Sequence, residues 1–299
     1  MIPRPLALAV SGECFDTGGV NCYTAGHGPP LLLVHTVNAA ASAAEVRPLY
    51  EHYRATRTVF AVELPGYGHS RRDDVAYTPR LMTDALHTVG QEIRRRCGDR
   101  PVDALAASLG CEFLARAAAE QPAHWGRLAL VSPTGLDGDK PRRGPPGSTR
   151  RIPGLHGVLS QPLWAASLFR ALTRPGVVRY FLERTWGSKA IDEAMWAYAV
   201  ATAAQPGAHH APLHFLGGGL FSNDIHDVYE GLPQPVWMCH GVRGDFTDYR
   251  NERLLADRPN WQITVFQTGA LPYFEEPEPF RLALDAFLAG RPVPTMRDR

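Results

Sequence analysis

The 299-residue sequence predicts an α/β protein: a mostly parallel central sheet flanked by helices, with a helical cap inserted late in the chain. Three observations carry this. Short apolar runs of strand length alternate with stretches of helical periodicity, the pattern of a sheet covered on both faces. The alternation stops after Gly135 and resumes at Val236. One strand, Val102–Ala106, passes at once into a helical pattern through Ala106-Ala107-Ser108-Leu109-Gly110. A small-x-Ser-x-Gly turn between strand and helix lifts the hydroxyl above the sheet edge and aims a helix N-terminus, with its unpaired N–H groups, at it.

Taken in order, residues 6–26 read as two strands of an edge hairpin around Thr17-Gly18-Gly19. Leu31–Val34 is a continuous apolar run, followed by Val46, Leu49, Tyr50 and Tyr53 at helical spacing. Thr58–Val62 is the next strand and ends in the loop Glu63–Ser70. Thr78-Pro79 reads as N-cap and first turn of a helix with Leu81, Met82, Ala85, Leu86, Val89 and Ile93 as its buried stripe. After the serine turn comes a helix with Phe113, Leu114, Ala117 and Ala118 inside, then the strand Leu128–Val131. Residues 135–154 are rich in Gly, Pro, Arg and Lys, and 155–230 read as aromatic-rich helices. Strands Val236–Cys239 and Trp261–Phe266 follow, then a last helix carrying Phe280, Leu284, Phe287 and Leu288 and stopped by Gly290. The expected division is a core of 1–136 with 231–299 and a cap of 137–230.

Composition excludes several classes. Hydrophobic residues make up 44% and charged residues 20%, the mix of a globular chain with a sizeable core. A net charge of +1 gives no reason to expect nucleic acid or an anionic membrane as partner. Five scattered cysteines without C-x-x-C spacing read as reduced thiols of a cytoplasmic protein, not as a disulfide framework or metal site. Leu6–Val10 is too short for a signal core, and no run is long enough to span a membrane.

Leu31–Asn38, Val62–Ser70 (V-E-L-P-G-Y-G-H-S), the Ser108 turn, Leu130–Gly135 (L-V-S-P-T-G) and Phe274–Phe280 (F-E-E-P-E-P-F) stand in the order found in the α/β-hydrolase superfamily. The chain resembles its capped branch, which includes esterases, epoxide hydrolases, C–C bond hydrolases and haloperoxidase-like enzymes. The resemblance covers nearly all of the chain except the cap and is specific for the fold more than for the reaction.

The resemblance implies Ser108 as nucleophile and the backbone N–H groups of Val37 and Leu109 as oxyanion donors. Thr36 follows His35 where the family usually has glycine; it narrows the oxyanion hole or adds a hydroxyl to it, while His35 reads as a structural histidine bonded to backbone. Asp245 is the best match to the acid of the triad and Asp248 the second, with helix capping as the commoner role for Asp248. The frame that holds the family's histidine is intact, Thr268-Gly269-Ala270-Leu271-Pro272, but Ala270 stands in the histidine position. Without a base the Ser108 hydroxyl is a poor nucleophile near neutral pH. His240, at the C-terminal end of a predicted central strand, is the first choice of replacement; His209, His210, His214 and His69 are others, and Glu112 follows the turn. Thr36, Tyr273, Trp164 and Asp248 are the expected substrate contacts, with Tyr273 as a donor near the absent imidazole. The cap aromatics, Trp164, Phe169, Tyr180, Phe181, Trp186, Trp196 and Tyr198, either line a pocket or form the cap's own core. Collectively they favour a bulky apolar or aromatic small molecule as partner.

Three functions follow. One is cofactor-free hydrolysis of an ester, thioester or lactone through Ser108 and a displaced base. The second is a non-hydrolytic reaction of natural-product biosynthesis: epoxide opening, cyclisation or C–C bond formation. The third is a ligand-binding protein without catalysis. None uses a cofactor or metal.

Overall fold

The computed structural model describes residues 5–294. Eight strands form one sheet: β1 (Glu13–Thr17), β2 (Val20–Ala25), β3 (Pro30–Val34), β4 (Thr58–Val62), β5 (Val102–Ala107), β6 (Trp125–Val131), β7 (Val236–Gly241) and β8 (Trp261–Phe266). Their spatial order is β1-β2-β4-β3-β5-β6-β7-β8. β1 and β2 form an antiparallel hairpin, β2 pairs antiparallel with β4, and every pairing from β4 through β8 is parallel.

The strands form where the apolar runs place them, because residues buried on both faces need no polar alternation. Leu32 and Val34 of β3 enter one core, under α2 (Pro79–Cys97) and α3 (Gly110–Glu120). Leu31 and Leu33 enter the other. That second core lies under α1 (Arg47–Tyr53) and the C-terminal helices. Thr78 caps α2 as expected, its hydroxyl accepting from the Leu81 N–H at 3.2 Å. The predicted hairpin starts later than residue 6. Leu8 is exposed, and the Ala9 N–H goes to the Tyr23 hydroxyl (3.4 Å) instead of a strand partner.

Between β6 and β7 the chain has only helices: α4 (Leu155–Leu159), α5 (Ala165–Leu172), α6 (Pro175–Trp186), α7 (Glu193–Ala203), α8 (His210–Leu216) and α9 (Ile225–Glu230). Phe169, Val178, Ala199 and Ala203 form a small core of this region, and Trp186 joins the main core. After β7 the described residues form three more helices, α10 (Arg253–Ala256), α11 (Pro272–Glu275) and α12 (Pro277–Leu288). The buried residues of α12 include Phe280, Leu284 and Phe287, each worth about 1.5–3 kcal/mol of burial. The loops at the C-terminal ends of β3, β5, β6, β7 and β8 converge, as in other open parallel sheets, and build the site.

Candidate active site

β5 ends in the conformation that the small-residue pattern predicts. Ser108 has φ +51°, a left-handed backbone that non-glycine residues rarely adopt. Its N–H donates to Val131 O (2.8 Å) and its carbonyl accepts from the Cys111 N–H (3.0 Å), so the turn is pinned at both ends. Gly110 is required by proximity: a Cβ there would lie 2.5 Å from His35 O. Cys111 is a fully buried thiol whose pKa burial pushes far up, a core residue and not a nucleophile.

The loop after β3 is fixed from behind by Glu45. Its carboxylate, buried, accepts from the Thr36 N–H and from Asn38 Nδ2, both at 2.9 Å; Asn38 also donates to Thr36 Oγ1 (2.9 Å). His35 Nε2 accepts from the Leu64 N–H (3.0 Å) while Nδ1 donates to Thr36 O (2.5 Å). Burial pushes its pKa down to about 4, so it is the neutral structural histidine expected. Among the described residues, the N–H groups of Val37 and Leu109 donate to nothing. Sequence reasoning missed Glu45; its signal is a lone acid in the small-residue, otherwise uncharged run 39–46.

Ser108, Val37 and Leu109 share a cavity of about 520 Å³. Its walls are largely apolar: Leu136, Ile152, Phe215, Leu216, Phe221, Phe246 and Leu271, with Tyr249 buried beside Ser132. Ser132 has φ +48°, the other positive-φ non-glycine residue described, and its hydroxyl donates to Ala270 O at 2.7 Å. Thr36, Asp245, Asp248 and Ala270 also line this space.

Several expectations are corrected. His240 does not face Ser108: its ring stacks on Tyr249 (centroids 4.0 Å apart), Nδ1 bonds Gly241 O (2.9 Å) and Nε2 bonds Glu252 (3.0 Å). With both nitrogens engaged and the ring outside the cavity wall, it has no free lone pair for the serine. Tyr273 is buried in the core against Phe274 and Phe280; its hydroxyl finds no partner among the described residues, and the residue does not line the cavity. Trp164 is exposed, donating its indole N–H to Val158 O (2.9 Å). Of the seven cap aromatics named from sequence none lines the cavity; Phe215 and Phe221 do. His209, His210 and His214 lie on or beside α8 outside it, His214 stacking on His156 at 3.7 Å.

The cavity's acids are each neutralised by an arginine. Asp245 pairs with Arg184, Asp137 with Arg142 at 2.7 Å, and Asp248 with Arg250 at 2.9 Å. Asp248 does not cap a helix; it accepts from the Gly138 N–H (3.0 Å). Glu112 is buried behind the wall, accepting from Thr134 Oγ1 (2.5 Å) and the Ser222 N–H (2.7 Å), and burial pushes its pKa up to about 7. No histidine is among the described residues lining the cavity, and the Ser108 hydroxyl has no hydrogen-bond partner among them. The arrangement offers one half-buried, unpartnered hydroxyl, two free amide donors and an apolar wall.

Residues 25–283 match the model of the alpha/beta hydrolase family. A pimeloyl-[acyl-carrier protein] methyl ester esterase of Xylella fastidiosa is 31% identical over 107 residues, which span 36% of this chain and 38% of that protein. Solved structures of similar fold include a serine hydrolase involved in carbazole degradation (TM-score 0.73, 17% identity, 94% of this chain and 99% of that one). The 2-hydroxy-6-oxo-6-phenylhexa-2,4-dienoate hydrolase of Rhodococcus sp. strain RHA1 has TM-score 0.70 and 17% identity over 92% and 97% of the chains. A carboxylesterase of Bacillus subtilis has TM-score 0.68 and 17% identity over 94% and 92%.

Proposed function

The chain belongs to the α/β-hydrolase family, and from that premise we propose that it hydrolyses an ester, thioester or lactone of a bulky apolar small molecule through Ser108. The observation that carries the reading is the left-handed backbone of Ser108 at the cavity wall, between two undonated N–H groups. Such a backbone costs about 1–3 kcal/mol and places the hydroxyl where a substrate carbonyl can reach it. In the proposed reaction the Ser108 oxygen adds to the carbonyl carbon. The developing oxyanion is held by Val37 and Leu109 N–H at the positive end of α3. The adduct collapses with cleavage of the ester C–O or thioester C–S bond, and water then hydrolyses the acyl-Ser108 ester to release the acid and restore the hydroxyl. The serine proton leaves to water or to the leaving group, because no imidazole is among the described residues lining the cavity.

That last feature sets the expected rate. Oxyanion stabilisation and binding without the full triad give accelerations on the order of 10³–10⁴ over water. With p-nitrophenyl esters of increasing acyl length, turnover above that floor is expected, rising with chain length and falling back to the floor in Ser108→Ala. Turnover unchanged by Ser108→Ala overturns the proposal.

The unpartnered Ser108 hydroxyl also favours a second reading, a non-hydrolytic reaction in which Ser108, Val37 and Leu109 only polarise a substrate oxygen. Ala270→His separates the two. A general base supplies about 10²–10⁴ in acyl transfer, so under hydrolysis the variant gains ester turnover, and under the second reading it gains none.

A further inference from the structure

The whole-chain charge of +1 conceals a segregation. Residues 137–189 contain ten Lys and Arg against three Asp and Glu, a local net of +7, so the remainder nets −6. Within that segment a group of apolar side chains stands in solvent: Ile152 (54% exposed), Val158 (58%), Leu163 (88%) and Trp164 (45%). The Trp164 indole N–H bonds Val158 O, and the Leu155 N–H bonds Ile152 O at 3.2 Å, so the stretch 152–164 folds on itself. Leu163 and Arg174 flank α5 in sequence, and Ser167 and Arg170 are exposed along it.

The cations on this face are free. Arg142, Arg143, Arg179 and Arg184 all have carboxylate partners, but Arg151, Arg170 and Arg174 form no ion pair among the described residues. Protruding aliphatic side chains and a tryptophan, flanked by unpaired arginines, have the chemistry of an interfacial anchor: apolar groups enter the acyl boundary while the guanidinium groups meet anionic headgroups. Ile152 and Leu216, both exposed, also line the Ser108 cavity, so the cavity opens beside this face.

We propose that the 151–174 face of the cap docks on an anionic lipid surface, with the Ser108 cavity opening at its edge. These side chains project into solvent; a lipid surface accommodates projecting groups that an acidic protein partner would have to match one by one. The proposal does not depend on what Ser108 does.

The test is flotation of the full chain with vesicles of phosphatidylcholine alone and of phosphatidylcholine with phosphatidylglycerol, at low and high salt. Binding is expected only with the anionic vesicles and to weaken with salt. Arg170→Glu with Arg174→Glu is expected to lower partitioning about 100-fold. Leu163→Asp, at a side chain 88% exposed, is expected to lower it about tenfold, with circular dichroism and melting unchanged in both. Equal binding to both vesicle types, no binding to either, retention of wild-type binding in both variants, or capture by an immobilised acidic protein in place of the vesicles overturns it.

Discussion

A serine at φ +51° is held about 1–2 kcal/mol above its ordinary backbone region, and an alanine there carries the same strain while glycine does not. Ser108→Gly is therefore expected to be more stable than Ser108→Ala by about 1 kcal/mol in urea unfolding, with both lacking the Ser108-dependent turnover; equal stabilities contradict the strain. Gly110 has the opposite sensitivity. Its missing Cβ is the space that His35 O occupies, so Gly110→Ala forces β3 and the turn apart and is expected to cost about 2 kcal/mol or more by the same measurement. The residue pattern of the turn was readable because steric demands act on neighbours in sequence. What Ser108 faces was not. The stacking of His240 on Tyr249 and its bond to Glu252, and the pairing of Asp245 with Arg184, join residues whose relative orientation no spacing rule encodes.

At the scale of elements, the central strands were legible because those buried on both faces declare themselves as unbroken apolar runs; β3 covers the expected Leu31–Val34 and adds only Pro30. α2 was legible because Thr78-Pro79 supplies both a cap acceptor and a preset first turn. Thr78→Ala is expected to cost about 1 kcal/mol in thermal or urea unfolding, the usual effect of losing one cap. The cap was legible only as helical. Aromatic content could not say which rings turn toward Ser108: Trp164, Tyr180 and Phe181 are exposed, Phe169 and Trp186 pack inward, and Phe215 and Phe221 form the cavity wall. That choice depends on how short helices cross one another, which periodicity within each helix does not determine.

Across the whole molecule, three buried carboxyls tie loops to the sheet: Glu45 behind Thr36, Glu63 against the Ala43 N–H, and Glu112 between Thr134 and Ser222. Burial pushes Glu63 and Glu112 up to about 7. A carboxyl whose folded pKa exceeds its unfolded one near 4.5 contributes fully below that value and loses the contribution as pH rises through the folded pKa. His35, pushed down to about 4, works in the opposite direction, losing stability as pH falls toward 4. Glu112→Gln isolates one of these. It can still accept from Ser222 N–H and donate to Thr134, so its unfolding free energy relative to the parent is expected to improve between pH 4.5 and 7, by on the order of 3 kcal/mol; a difference that does not vary with pH contradicts the buried carboxyl. These ties keep the sheet-end loops, and with them the amide donors, in place around one hydroxyl. The most direct test of that hydroxyl is labelling with a fluorophosphonate followed by intact mass and peptide mapping. One adduct, on Ser108 and missing from Ser108→Ala, is the predicted result; an unlabelled wild-type chain, or an adduct that survives the substitution, contradicts it.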